Sequence, residues 1–154
     1  MVQPMLNANR FRRLAGGFTL IELMVVVGLV AVLGTIAVST FRSYVLRTNR
    51  TEARMALLAT QVGQEKYFLQ NNQYAQDIAT VIAAPPAGLG INLTAAGVTT
   101  GGNYTISFAA ATANTYTLQA VAKGPQTKDM AACLTLTINE QGLRTPPDSS
   151  GCWR

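Results

Sequence analysis

Residues 23–41 form a 19-residue run, LMVVVGLVAVLGTIAVSTF, with no charge and no proline, entered through a single carboxylate, Glu22. A helix rises 1.5 Å per residue, so such a run approaches the roughly 20 residues needed to cross about 30 Å of hydrocarbon. A secretory signal peptide is the competing interpretation, since a basic start and the small residues Ala37, Val38 and Ser39 fit one. Its apolar core, however, ordinarily spans about 7 to 15 uncharged residues. A carboxylate in mid-membrane costs about 2.5 to 3.5 kcal/mol and normally has a partner or a function. Near a helix N-terminus the macrodipole alone favours it.

The helical signal continues beyond the run. Residues 42–69 lack proline, and Met55, Leu58, Val62 and Leu69 recur at spacings of 3, 4 and 7, on one helical face. A helix over residues 18–69 would be ~78 Å long, its first half suited to lipid or other helices and its amphipathic second half to a globular head. Gly28, Gly34 and Gly63 interrupt it at up to about 1 kcal/mol each. Gly28, Ala31, Gly34 and Thr35 would give a surface for close helix contact, although glycine is also simply common in membrane helices.

With 154 residues the chain fits one modest domain plus an attached segment. Only 12% of residues are charged, against about 25% for soluble domains, which points to a membrane or a large protein partner. The net charge of +5 is unevenly placed. Arg10, Arg12 and Arg13 precede the apolar run and Arg42, Arg47, Arg50 and Arg54 follow it, while beyond residue 54 five basic residues balance five acidic ones. Basic residues on both flanks leave orientation undecided by the positive-inside rule. Cys133 and Cys152 have no zinc or redox-dithiol spacing, leaving a disulfide or two buried thiols. A membrane-directed segment upstream favours the disulfide, and with it a C-terminal part outside the cytoplasm.

The leader ending LAGG, followed by FTLIELMVVV, resembles the class III signal of type IV prepilins and the related pseudopilins. The resemblance implies cleavage by a prepilin peptidase between Gly17 and Phe18 and N-methylation of Phe18. It also implies a role for Glu22 in assembly, neutralising the amino terminus of an adjacent subunit in a filament. Many pilins carry a proline where this chain has Ser39, so a kink there is not implied.

After Leu69 the sequence changes character: QNNQYA, Pro85, Pro86 and the glycines at 88, 90, 97, 101 and 102 mark a connection with room for a short helix. Three β-rich runs follow, NYTISFAA (103–110), TYTLQAVAK (115–123) and CLTLTINE (133–140). The expected fold class is α+β: a long N-terminal helix, transmembrane then amphipathic, packed on a small antiparallel sheet with a C-terminal disulfide loop, as the pilin fold implies. The expected segments are a cleaved leader (1–17), a membrane and filament-core helix (18–45) and a head (46–154). The head divides into a helix half (46–70), a connecting loop (71–102), strands (103–140) and a disulfide-bounded region (133–152). EKYFLQNNQYA, CLTLTINEQG and GCW also resemble minor pilins of the PilE kind.

Catalysis finds little support, because the chain has no His, no GxSxG, no phosphate loop and no telling carboxylate pair. Asp77, Asp129, Glu140 and Asp148 are expected as solvated loop or turn residues, and no metal or cofactor is implied. The triplets at Asn49, Asn92 and Asn103 match glycosylation acceptors that often arise by chance. The leading functional expectation is a type IV pilus subunit, a minor pilin. Its implied partners are other pilin subunits, prepilin peptidase, the inner-membrane assembly platform and, before assembly, lipid. Its head would sit in the periplasm and then in the extracellular pilus, with adhesion, twitching motility or DNA uptake downstream. A pseudopilin of a type II secretion system is the first alternative. The second is a DNA- or surface-binding head, using Lys66, Lys123, Lys128, Arg144 and Arg154 with Tyr104, Tyr116 and Trp153 stacking on bases; the head's balanced charge counts against it.

Overall fold

The computed structural model describes residues 17–153 and comprises two compact units, one ending at Val38 and one beginning at Ser39. Helix α1, Leu20–Asn71, contributes to both. Its backbone is helical through Gly34, Thr35 and Ser39. The Thr35 hydroxyl donates to the Val32 carbonyl at 2.7 Å, the back-bond with which a threonine satisfies itself inside a helix.

The unit from Ser39 onward sets the rest of α1 against a four-stranded antiparallel meander, β1 (Tyr104–Ala111), β2 (Tyr116–Ala122), β3 (Thr135–Asn139) and β4 (Arg144–Thr145), in the order β1-β2-β3-β4. A short helix, α2 (Ile78–Ile82), precedes the sheet, with Asp77 as its N-cap accepting from the Thr80 amide at 2.7 Å. Every second strand residue points into the core: Tyr104 and Ile106; Tyr116, Leu118 and Ala120; Leu136 and Ile138. The register Ile106↔Ala120↔Leu136, beside Leu118↔Ile138, aligns them into cross-strand rows. Strand β4 has only two residues and no alternation to betray it in sequence. It pairs Thr145 with Thr137, stitching the segment before Cys152 to the sheet edge.

The face of α1 that meets this sheet differs from the expected one. Met55, Leu58, Val62 and Leu69 are 66, 37, 56 and 84% exposed. The buried stripe is Arg50, Ala53, Leu57, Thr60 and Gln64, spaced 3, 4, 3 and 4. Small residues at 53 and 60 let the helix approach the sheet closely, and Leu57 supplies the large apolar contact. Thr60 and Gln64 are satisfied close by in sequence. The Thr60 hydroxyl donates to the Ala56 carbonyl, and the Gln64 amide pairs edge to edge with Ala75, giving and accepting one hydrogen bond at 2.8 Å each. Gly63 also has a packing reason, because a Cβ there would lie 3.0–3.1 Å from Leu89.

At the start of that stripe a buried polar network fixes the helix to the loop between β2 and β3. Arg50 Nε donates to Asp129 Oδ2 at 2.6 Å and its NH2 to Oδ1 at 2.5 Å, a bidentate pair with both side chains nearly inaccessible. Gln126, fully buried, places its amide nitrogen 2.9–3.0 Å from the Leu46 carbonyl, the Tyr104 hydroxyl and Asp129, which share its two N–H groups, and its oxygen accepts from Asn49 at 3.1 Å. Asp129, expected as a solvated loop residue, is therefore an interior counter-ion. Burial alone would raise its carboxyl pKa, but hydrogen bonds from Arg50, the Met130 amide and Gln126, with the guanidinium charge, hold it below the ordinary value. Burial and the Asp129 charge push the neighbouring Tyr104 phenol up to about 12. The other three acids keep to loops and turns: Asp77 caps α2, Glu140 accepts from the Tyr116 amide, and Asp148 lies 3.9 Å from Arg144.

The cysteines form a disulfide, Cys133–Cys152, with both residues fully buried. Arg50 NH1 also donates to the Gly151 carbonyl at 3.4 Å, so the helix holds the C-terminal segment beside its covalent tether.

Leu57→Ala is expected to lower the unfolding free energy by about 2–5 kcal/mol, and Val62→Ala on the outward face by no more than about 0.5 kcal/mol. Chemical denaturation of the full chain in detergent compares them, and equal losses would contradict the buried stripe. Asp129→Asn leaves Arg50 without its counter-charge and is expected to cost about 3–5 kcal/mol. Because the folded Asp129 carboxyl titrates below its unfolded value, its contribution is present above about pH 4 and is lost as pH falls through the depressed folded value. Stability measured against pH should lose part of its acid-side slope in the Asn variant, and an unchanged slope would uncouple the pair from folding.

Candidate assembly site

The first unit carries the expected processing and assembly residues. Gly17 and Phe18 precede the helix, and Thr19 caps it by accepting from the Glu22 amide at 3.3 Å. Glu22 occupies the first turn, where the partial positive charge of unpaired amides favours a carboxylate. Gly16 and the leader arginines lie outside the described residues.

Every described residue from 17 to 38 is exposed, including Leu23, Met24, Val30 and Leu33. A Cβ added at Gly28 or Gly34 would meet nothing within 4 Å. The apolar surface that begins one residue after Glu22 is thus unpartnered by its own chain and far exceeds what a soluble monomer exposes. Among the described residues α1 is the one helix long and apolar enough to cross a membrane, by length and composition. Chemically the site offers one carboxylate at the head of an apolar cylinder, with small residues at 28, 31, 34 and 35. It has the makings of helix–helix or helix–lipid contact.

The head-borne candidates for nucleic-acid contact scatter. Tyr104 and Tyr116 are core residues and cannot stack on a base. Trp153 is only 8% exposed, with the Arg144 guanidinium 5.2 Å above its ring. Lys66 lies on α1, Lys123 precedes and Lys128 ends the turn Gly124–Lys128, and Arg144 is on β4; all four are exposed. Arg154 is outside the described residues. Two of the three glycosylation-like triplets are spoken for, because Asn49 donates to Gln126 and Asn103 donates to Glu52 at 3.0 Å.

Comparison with known proteins matches both parts of the chain. Residues 12–38 match the prokaryotic N-terminal methylation motif, and residues 39–137 match the family described as type IV minor pilin ComP, DNA uptake sequence receptor. The type IV wide pilus major component PilA4 of Thermus thermophilus is 34% identical over 104 residues, covering 68% of this chain and 71% of that protein. The type IV major pilin PilA of Myxococcus xanthus is 32% identical over 83 residues, 54% of this chain but only 38% of the Myxococcus protein. A type IV pilin structure from Shewanella oneidensis aligns with a TM-score of 0.48 at 20% identity, covering 71% of this chain and 98% of that one. With its methylation motif and with residues 39–137 matched by the ComP model, the chain belongs to the type IV pilins, within the family described as type IV minor pilin ComP.

Proposed function

We propose that the chain is a minor type IV pilin, made as a membrane-inserted precursor and assembled through α1 into a pilus that serves DNA uptake. The observation that carries this is the exposed apolar half of α1, opened by a lone carboxylate in its first turn. A prepilin peptidase removes residues 1–17 and methylates Phe18. Residues 18–45 then hold the subunit in the inner membrane, with the head, 46–154, in the periplasm; the disulfide supports that orientation. On delivery by the assembly platform, the same helix packs among other pilin helices in the extracellular filament. There Glu22 meets the amino terminus of a neighbour in a low-dielectric bundle, an attraction that a single subunit in lipid lacks.

The DNA-uptake role is supported by the family match over residues 39–137. On the head, its best structural candidate is Arg144, an exposed guanidinium held over Trp153.

Intact-mass analysis of the protein from its own membrane should show loss of residues 1–17 and one added methyl on Phe18, and a cut after the apolar run would refute the assembly model. Glu22→Ala should insert normally yet lose about 3 kcal/mol of subunit pairing, roughly a hundredfold in the assembly equilibrium, read as pilus incorporation. The full chain in detergent should bind duplex DNA with an affinity that falls with salt by about 0.9 log units per log unit for each phosphate contact, and Arg144→Ser should weaken it. No binding at low salt would remove the DNA role and leave the pilus role standing.

A further inference from the structure

Four basic residues gather where α1 leaves its apolar run. Arg42 and Arg47 are exposed on the helix, Arg42 directly after Phe41 and one turn before Leu46 on the same face. The Leu46 carbonyl receives the Gln126 amide, which fixes the turn Gly124–Lys128 against this part of the helix and brings exposed Lys123 and Lys128 with it. Asp129, the acid next in sequence, turns inward to Arg50, so its charge is used inside the head. The two ion pairs found among the described residues are Arg50–Asp129 and Arg144–Asp148. Arg42, Arg47, Lys123 and Lys128 therefore form a rim of uncompensated positive charge. Tyr44 and Met130, 68 and 51% exposed, add an amphipathic ring and an apolar side chain to it.

We propose that this rim docks on anionic phospholipid headgroups of the membrane that holds the apolar run, seating the head before assembly. The proposal rests on the membrane-inserted precursor described above. Arg42 and Arg47 stand about 1.5 and 9 Å of helix rise beyond Phe41, against a headgroup layer of roughly 5–8 Å on each side of the hydrocarbon, so Arg42 falls within that layer and Arg47 at its outer edge. An exposed tyrosine at that level is the usual companion of such a boundary. Arginines on the non-cytoplasmic side run against the positive-inside bias, and attraction to anionic headgroups explains their presence there. Each basic residue at an anionic surface strengthens binding about fivefold. Nucleic acid is disfavoured as the partner by position, because the rim lies within two helical turns of the end of the apolar run.

The three lysines of the chain, Lys66, Lys123 and Lys128, make the test internal. The full-length protein is placed in nanodiscs of phosphatidylcholine alone or with phosphatidylglycerol, briefly treated with an amine-acylating reagent, and read site by site by mass spectrometry. In anionic discs Lys123 and Lys128 should react about fivefold or more slowly relative to Lys66, and high salt should abolish the difference. Arg42→Ser with Arg47→Ser should weaken the protection without changing the reactivity of Lys66. Equal labelling of Lys123 and Lys128 in the two discs overturns the lipid contact while leaving the membrane anchor intact. Protection by added duplex DNA in neutral discs, without protection by anionic lipid, also overturns it and assigns the rim to nucleic acid. Failure of the chain to enter either disc overturns the anchor and the contact together.

Discussion

The head depends on a buried ion pair. Arg50 and Asp129 lie 79 residues apart in sequence and meet with two hydrogen bonds out of water. Isolated, each charge would be costly to bury, and the pair is tolerable because its neighbours contribute: Gln126 and the Met130 amide donate to Asp129, and the Gly151 carbonyl accepts from Arg50. These contacts tie together the helix, the β2–β3 loop and the disulfide-bounded C-terminus. An apolar contact of equal area would hold the helix to the sheet but would tolerate sliding. A bidentate guanidinium–carboxylate pair with a buried glutamine beside it accepts a single register.

That choice shapes the rest of the helix. With Arg50, Ala53, Leu57, Thr60 and Gln64 facing the sheet, Met55, Val62 and Leu69 face outward. Together with Ile91 and Leu93, Met55 borders a surface groove of about 540 Å³ that also includes Thr51, Ala56 and Ala59. The head thus has an apolar flank of its own, as the first unit has an apolar cylinder.

How much of this the sequence disclosed depended on the period of the signal. The apolar run, the class III leader, the three longer strands and the cysteine pair are local patterns, visible in windows of 5 to 20 residues. The sheet-facing stripe is hidden in the sequence because the side chains that pack against the strands are small or polar. A pattern search weighted to large hydrophobics selects Met55, Leu58, Val62 and Leu69 instead, at the same helical period and on the wrong face. The interior role of Asp129 is hidden for another reason: its partner is fixed by the tertiary fold, and nothing within four residues of it in sequence carries the opposite charge except the exposed Lys128. Two-residue β4 offers no alternation at all. A spacing-based clue did exist at Arg50, which falls in phase with Ala53 and Leu57 and so was bound to face the core.

Glu22 is held by two effects of unequal size. Its place in the first turn, behind a Thr19 cap, gains about 0.3–1 kcal/mol from the macrodipole whether or not the chain assembles. Carrying the same carboxylate deep into hydrocarbon costs about 2.5–3.5 kcal/mol, so the local gain suffices only near the membrane boundary. In the proposed filament the boundary would be gone, leaving a deficit of about 2 kcal/mol for a neighbouring amine to offset. If Phe18 is the methylated N-terminus, as proposed, its amine would stay basic and able to donate, so the modification would preserve the partner's charge. On the proposed pathway, the residue that looks misplaced in an apolar run would be stable enough at the membrane edge and too costly to enter the core of a filament alone.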